Sequence, residues 1–189
     1  MQNKIKSIFK ESADLKLKTA EALSANIEKS AQTIISALKN GKKVIIFGNG
    51  GSAADAQHMA AELLGRFKMN RKALPAIALS TNSSSVTAIA NDFGYDLIFE
   101  KPVEGLTQAG DVVIGISTSG ESKNVIKGIE KAKSLGAKTI GLSGCSGGKL
   151  AAVSEIALTV PSNDTPRIQE AHITIIHIIC GLVEEELFG

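Results

Sequence analysis

The sequence predicts an α/β fold in which a five-stranded parallel sheet lies between layers of helices. Short apolar runs alternate along the chain with segments of helical character, as in proteins built from βα units. The predicted strands are apolar throughout, which indicates burial on both faces and therefore a parallel sheet. Two of the strands also lead into similar loops that open helices, in VIIFGNGGSA and VVIGISTSGES. Because ligands bind at the carboxyl ends of strands in such sheets, we expect both loops to face one crevice.

Each element is predicted from its own apolar pattern. Residues 3–39 have helical spacing and end at Asn40-Gly41, a helix stop signal, so they form one long helix or two helices broken near Ser12. The predicted strands are Lys43–Phe47, Ala76–Leu79, Val112–Ile116, Thr139–Leu142 and Ile156–Thr159. The other predicted helices cover residues 52–66, 84–90, 97–106, 122–135, 149–152 and 167–187. No linker or fixed-period repeat divides the chain, so residues 1–189 are predicted to form a single domain.

The composition is that of an ordinary globular protein, with 43% hydrophobic and 21% charged residues. The net charge is +2 with the two signs mixed, which argues against a nucleic-acid-binding surface. Cys145 and Cys180 lie in unlike contexts and form neither a zinc ribbon nor a redox motif. The N-terminus has no signal-peptide pattern, and no apolar run is long enough for a bilayer. We therefore expect a cytoplasmic protein with no membrane partner.

The segment from residue 44 to residue 67 combines two kinds of chemistry. Gly48-Asn49-Gly50-Gly51 follows a predicted buried strand, and Ser52 is predicted to cap the next helix. Free N–H groups at such a helix start suit phosphate, although this loop matches neither the dinucleotide nor the Walker pattern. His58 and Glu62 are four residues apart and so lie on one helix face, where they can share a metal ion. A helical pair of this kind is more often a solvated hydrogen-bonding pair, so the assignment needs further ligands.

The second loop offers four hydroxyl groups directly after a predicted buried strand. They belong to Ser117, Thr118, Ser119 and Ser122 and surround Gly120 where a helix begins. Hydroxyls together with helix N–H groups can bind a dianionic phosphate without a cationic side chain. A single hydroxyl would indicate no more than a helix cap, but four of them favour phosphate binding.

The last predicted helix is apolar on nearly all sides, which predicts that it is buried, at the core or at a subunit interface. Its polar exceptions are Gln169, His172 and His177. A histidine on a buried helix is more often a hydrogen-bonded core residue than a metal ligand. However, the chain's three histidines all lie on this helix and on the helix of His58, and this concentration favours metal binding.

Four blocks in order, GNGGSAADAQHMAAEL, AIANDFGY, GISTSGESKNV and RIQEAHITIIHIIC, closely resemble the phosphoheptose isomerases of the sugar isomerase (SIS) fold. The resemblance spans nearly the whole chain. It implies a single SIS-type domain in which residues 1–41 are a helical extension that packs on the core or on a neighbouring subunit. It also implies conversion of D-sedoheptulose 7-phosphate to D-glycero-D-manno-heptose 7-phosphate, the first step of ADP- or GDP-heptose biosynthesis for lipopolysaccharide or capsule.

The site residues are carried over from the same resemblance. It implies one zinc ion per subunit, held by His58, Glu62, Gln169 and His177, and it marks Glu62 and His177 as the acid–base residues. The implied contacts to the sugar phosphate come from both loops and both helices: Asn49, Gly50, Gly51, Glu62, Asn91, Asp92, Ser117, Thr118, Ser119, Ser122 and Gln169. His172 is outside the pattern, so we interpret it as structural.

The chemistry is consistent with this set of residues. A ketose becomes an aldose when a proton moves between C1 and C2 through an enediol, which a carboxylate and a second proton carrier can accomplish. Zinc can polarise the carbonyl as a Lewis acid. Which of Glu62 and His177 acts as base and which as acid is left open by the sequence.

The resemblance also implies a homotetramer, and apolar surface on both terminal helices agrees with an oligomer. Gln169 and His177 are eight residues apart, about 12 Å along a continuous helix. They can therefore share an ion only if their side chains lean together or if neighbouring subunits share the ligands.

Functions other than phosphoheptose isomerisation fit the sequence less well. The main alternative is a non-catalytic SIS-fold protein that senses a sugar phosphate or binds another protein, as in replication-initiation partners of similar length. Such a protein would need no metal, so the complete set of ligand-type residues argues against it. A SIS transcription regulator would need a DNA-binding domain ahead of the sheet, and no helix-turn-helix precedes the first strand. Isomerisation of another phosphosugar remains open as a variant of the substrate.

Overall fold

A computed structural model describes residues 1–189 as an α/β fold. The helices are α1 (Gln2–Lys39), α2 (Gly51–Leu64), α3 (Ser83–Phe93), α4 (Glu100–Leu106), α5 (Lys123–Ser134), α6 (Gly148–Val153) and α7 (Thr165–Phe188). The strands are β1 (Val44–Gly48), β2 (Ala76–Ala78), β3 (Val112–Ser117), β4 (Lys138–Ser143) and β5 (Ile156–Thr159). No helix combines the length and the apolar character needed to cross a bilayer.

The five strands form one parallel sheet in the order β2-β1-β3-β4-β5. This confirms the predicted fold class. The order reverses at β1 and β3, which are neighbours in register, with Gly48 opposite Ile116. The loops after β1 and β3 therefore start side by side at the carboxyl edge, the position where sheets of this kind bind ligands.

Alternate residues of the strands pack into two hydrophobic cores, one on each face of the sheet. Ile46 and Ile114 join the larger core, which α1, α2 and α7 cover. Ile45 and Val113 join the smaller core beneath α4, α5 and α6. Burial of both faces is the reason why the strands are apolar throughout.

Helix α1 is a single helix, so the alternative of a break near Ser12 is wrong. No proline or glycine interrupts residues 2–39, and the helix ends only at Asn40, whose N–H donates to Ser36 and Ala37 carbonyls. Its buried side chains begin at Leu15 and pack mainly along α7 and the larger core.

Two predicted helix starts need correction. Ser52 does not cap α2: the helix begins at Gly51 after Gly50, and Ser52 is buried in the first turn. Gly48 allows this packing, because a Cβ there would collide with Ser52 and with the Ile116 carbonyl. The helix predicted over 97–106 is a short 3₁₀ turn, Tyr95–Leu97, followed by α4.

Candidate active site

The β1–α2 loop presents backbone N–H groups at the start of α2. Gly50 has φ 54°, a left-handed conformation that favours glycine, and it turns the chain into the helix. The N–H groups of Gly50 and Gly51 donate to no acceptor within the protein, whereas Ser52 and Ala53 donate back to Asn49. The loop can therefore donate two hydrogen bonds to an anionic oxygen at the positive end of the α2 dipole.

The β3–α5 loop presents the predicted cluster of hydroxyl groups. Ser117 Oγ donates to Ser122 Oγ at 2.9 Å and lies 3.5 Å from Ser119 Oγ. Ser122 is the residue that precedes α5, yet its side chain makes no capping hydrogen bond. These hydroxyls are grouped with each other beside the helix start instead of serving as helix caps, which is an arrangement suited to a phosphate group.

An amide network joins the two loops. The side chains of Asn49 and Asn124 exchange two hydrogen bonds, each of 2.9 Å. The Tyr95 hydroxyl donates to the same Asn49 Oδ1 at 3.1 Å. Asn124 is buried and Tyr95 is the only tyrosine of the chain. Neither residue was predicted from the sequence, because nothing in their local pattern shows which distant side chain they meet.

Asn91 and Asp92, predicted to contact the substrate, lie on the surface at the end of α3. Asn91 Nδ2 donates to Asp92 Oδ1 at 2.9 Å, and no hydrogen bond joins either side chain to the loops. Their connection to the site runs through Tyr95, three residues after Asp92, and its bond to Asn49. Their contact with the substrate stays a prediction.

His58, Glu62 and His177 meet where α2 and α7 pack together. His58 Nε2 lies 2.8 Å from His177 Nε2 and 3.2 Å from Glu62 Oε1. One ligand atom of each residue falls within 4.8 Å of those of the other two. All three belong to one chain, so this part of the predicted site needs no neighbouring subunit.

The donor set of this trio fits a metal ion. Two imidazoles and one carboxylate are common zinc ligands, and three protein ligands leave a position for substrate. A tetrahedral zinc ion would hold its two nitrogens about 3.3 Å apart, so the 2.8 Å imidazole pair needs to separate by only about half an ångström. Cys180 is not part of this cluster. Burial, and after it the Glu62 carboxylate, raises the pKa of the Cys180 thiol to about 12, so the thiol is protonated in the metal-free protein.

Gln169, the fourth predicted ligand, lies at the other end of the α2–α7 contact. A Cβ at Gly51 would collide with its side-chain amide, so Gln169 packs against the β1–α2 loop. His58 is seven residues farther along α2, which is about 10 Å of helix. Within one chain the structure therefore places Gln169 beside the phosphate-type loop and apart from the trio, and its role as a metal ligand stays a prediction.

Two more buried polar groups lie near the site. His172 Nε2 donates a 3.0 Å hydrogen bond to the Ser143 carbonyl, while its Nδ1 is buried without a partner. Burial lowers the pKa of His172 to about 4, only partly offset by that bond, so its ring is neutral and Nε2 is the donor. Asp55 lies one turn before His58 with Oδ2 buried and unpartnered, and burial raises its pKa to about 6, against the lowering effect of His58.

The sequence is similar to that of proteins of known family. The family model of the SIS domain matches residues 8–144. A phosphoheptose isomerase of Aquifex aeolicus is 56% identical over 185 residues, which cover 98% of this chain and 97% of the relative. The corresponding protein of Citrifermentans bemidjiense is 59% identical over 166 residues, or 88% of this chain and 86% of the relative.

Solved structures give the same result. A phosphoheptose isomerase from Neisseria gonorrhoeae superposes with a TM-score of 0.92 at 42% identity, over 97% of this chain and 98% of that one. One from Francisella tularensis gives a TM-score of 0.93 at 40% identity with the same coverage. The chain thus belongs to the phosphoheptose isomerase family of SIS-domain proteins.

Proposed function

We propose that the protein isomerises D-sedoheptulose 7-phosphate to D-glycero-D-manno-heptose 7-phosphate. The proposed site combines the two loops at the carboxyl edge of the sheet with the trio on α2 and α7. The observation that carries the proposal is the convergence of His58, Glu62 and His177 within 4.8 Å on helices that start or pass beside an anion-binding loop. Family membership supplies the substrate. The product would enter ADP- or GDP-heptose synthesis for lipopolysaccharide or capsule, and the proposal includes a cytoplasmic location.

The residues divide the work between binding and proton transfer. The N–H groups of Gly50 and Gly51 and the hydroxyls of the β3–α5 loop donate hydrogen bonds to the phosphate. The Asn124 side chain holds the Asn49 amide in one orientation, so that its second N–H is available to the substrate. Asn91, Asp92, Thr118 and Gln169 complete the proposed contacts.

Glu62 and His177 carry the protons in this proposal. The Glu62 carboxylate takes a proton from C1 of the ketose and returns it to C2, through an enediol. His177 moves the hydroxyl proton between O1 and O2. One zinc ion per subunit, bound by His58, Glu62 and His177 with Gln169 as the fourth ligand, would polarise the carbonyl as a Lewis acid.

We also propose that the active form is a homotetramer. Residues 1–14 of the chain bury no side chain, yet they expose Ile5, Ile8 and Phe9 along α1. Ile178, Leu182 and Phe188 are exposed on α7. Apolar surface of this extent on both terminal helices is what self-association would cover. Sedimentation at micromolar concentration should give four chains, and an active monomer would contradict this part of the proposal.

The function is tested by incubating purified protein with sedoheptulose 7-phosphate, with and without a chelator. We expect heptose 7-phosphate to form, to be lost on chelation and to return when zinc is added. Binding of the ketose without turnover by zinc-loaded protein would contradict the enzyme and favour the sensor. Zinc-independent turnover would contradict the role of the metal.

A further inference from the structure

The segment that joins α2 to β2, residues 65–75, is held by one buried carboxylate from α7. Glu184 accepts hydrogen bonds from the backbone N–H groups of Phe67, Lys68 and Met69, at 3.0, 2.7 and 2.9 Å. Arg71 Nε donates to the same carboxylate at 3.0 Å. The Arg71 and Glu184 side chains are only 2% and 3% exposed. Burial alone would raise the pKa of Glu184, but these donors hold it below its ordinary value, so the carboxylate is ionised at neutral pH.

The other end of Arg71 holds the last turn of α2. Its Nη2 donates to the Glu62 carbonyl at 2.8 Å, and its Nη1 donates to the Leu63 carbonyl at 2.7 Å. The final carbonyls of a helix lack partners within the helix, and here a guanidinium supplies them. Arg71 therefore joins the backbone of the proposed base, Glu62, to the side chain of Glu184.

Glu184 lies on the same face of α7 as His177, because the two are seven residues and almost two helical turns apart. Phe67 lies between them: its ring centre is 5.6 Å from that of the His177 imidazole, and a Cβ at Gly181 would be in van der Waals contact with the ring. The ion pair therefore contacts both helices that carry the trio. Arg71 binds the Glu62 carbonyl on α2, and Glu184 binds the backbone N–H of Phe67, whose ring lies beside His177 on α7.

A buried ion pair is a costly way to pack two helices, since apolar residues of similar volume often give equal or greater stability. What the pair adds is defined geometry, through directed hydrogen bonds that apolar contacts lack. We propose that Arg71 and Glu184 are positioning residues that set the separation between His58–Glu62 on α2 and His177 on α7. The expected effects of these residues on metal affinity and turnover rest on the proposed function. Their expected effect on the distance between the His58 and His177 imidazoles does not.

The test uses Glu184→Gln and Arg71→Lys in the full-length protein. Glu184→Gln keeps the size of the side chain but removes its charge. Arg71→Lys keeps the charge but removes the planar guanidinium that donates to Glu184 and to the α2 carbonyls at once. The matched control is Glu186→Gln, two residues away on α7, where Glu186 pairs with Lys39 at the surface with side chains 57% and 54% exposed. Folding of each variant is checked by thermal unfolding and oligomeric state.

The first readout is the NMR spectrum of the imidazoles in metal-free protein, which has only three histidines. We expect the His58 and His177 resonances to move in both variants, because their 2.8 Å contact is altered. His172, bonded to Ser143, should keep its resonances and report that the rest of α7 is intact. The control should leave all three unchanged.

The second readout is metal affinity and the split between kcat and KM. We expect the dissociation constant for zinc to rise at least tenfold and kcat to fall at least tenfold. KM should change less than threefold, because the phosphate-type loops lie at the other end of α2. Folded variants with unmoved imidazole resonances and wild-type zinc affinity would overturn the proposal. If wild-type protein proves inactive, the proposed function fails, and the NMR readout still decides the positioning role.

Discussion

At the scale of single residues, the side chains of the candidate site are far apart in the sequence and meet only in the folded chain. His58 and Glu62 could be paired from their spacing on α2, but nothing in the spacing indicated that His177 would join them. That assignment came from the resemblance, and the structure shows the physical reason: α7 packs along α2 so that the imidazole nitrogens lie 2.8 Å apart. The same holds for Arg71 and Glu184, 113 residues apart, which sequence analysis missed altogether.

Replacing the proposed base tests the trio directly. Glu62→Gln keeps the shape of the side chain but cannot accept a proton from carbon, so kcat should fall by about 10²–10⁴-fold. Substrate binding should persist, because the phosphate contacts lie elsewhere. Zinc content must be measured on the same sample, since the residue is also a proposed ligand. A metal-loaded variant with near-normal kcat would remove Glu62 from the mechanism, and Glu186→Gln serves as the control for loss of a charge.

Acid should weaken the fold through His172. Its folded pKa of about 4 lies below its ordinary 6.5, so the unfolded chain binds the proton more readily. The stability that comes from the neutral, buried ring is complete above pH 6.5 and is lost as the pH falls towards 4, by roughly 3 kcal/mol in total. Denaturant unfolding of wild type and His172→Gln between pH 7 and 4 checks this. The variant should lose less stability over that range, and equal losses in both proteins would contradict the assignment.

At the scale of elements, the strands were the best-predicted part of the molecule. A run of buried apolar residues is a local signal, and all five strands were found within a few residues of their predicted bounds. Helix boundaries were harder to predict where a long-range contact decides them. Serine is a residue type that often caps helices, but Ser52 packs closely against Gly48 beside β3 and so lies within the first turn of α2.

The β3–α5 loop is an element whose role can be separated from helix capping. Ser122→Ala should raise KM by roughly ten- to a hundredfold, since it removes one hydrogen bond to a charged phosphate, about 1.5–3 kcal/mol. Ser119→Ala should act in the same direction. The stability of α5 should not change, because Ser122 makes no capping bond.

The matched control for this loop is Ser134→Ala at the other end of α5, where the hydroxyl bonds only to the Lys131 carbonyl. It should leave KM unchanged. Wild-type kinetics in Ser122→Ala over the full range of substrate concentration would show that its hydroxyl does not contact the phosphate.

At the scale of the whole molecule, the question is which parts of a site one chain completes. The sequence allowed Glu62 and His177 to meet across a subunit boundary, and the structure instead brings them together within one chain. Gln169 is different, because its amide lies against Gly51 and apart from the trio. Predicting this from the sequence would have required the relative placement of α2 and α7, which depends on the packing of the entire larger core.

Mixed oligomers test this division. Glu62→Gln subunits mixed with His177→Ala subunits should show no recovery of activity, because each site contains its own chain's defect. Glu62→Gln mixed with Gln169→Ala is the companion experiment. Recovery of activity in that mixture alone would show that Gln169 acts in the site of a neighbouring subunit. No recovery would show that Gln169 acts in the site of its own chain. Recovery in the first mixture, with mixed oligomers verified by mass, would contradict the trio geometry.

The central claim is that this chain moves a proton between C1 and C2 of a ketose phosphate. The most direct measurement is NMR of sedoheptulose 7-phosphate incubated with zinc-loaded protein in D₂O. The account predicts heptose 7-phosphate, with deuterium entering C2 over repeated turnovers as the Glu62 carboxyl exchanges its proton with D₂O. Both rates should be at least about a hundredfold lower in Glu62→Gln. Absence of heptose 7-phosphate, or its formation by Glu62→Gln at the wild-type rate, would contradict it.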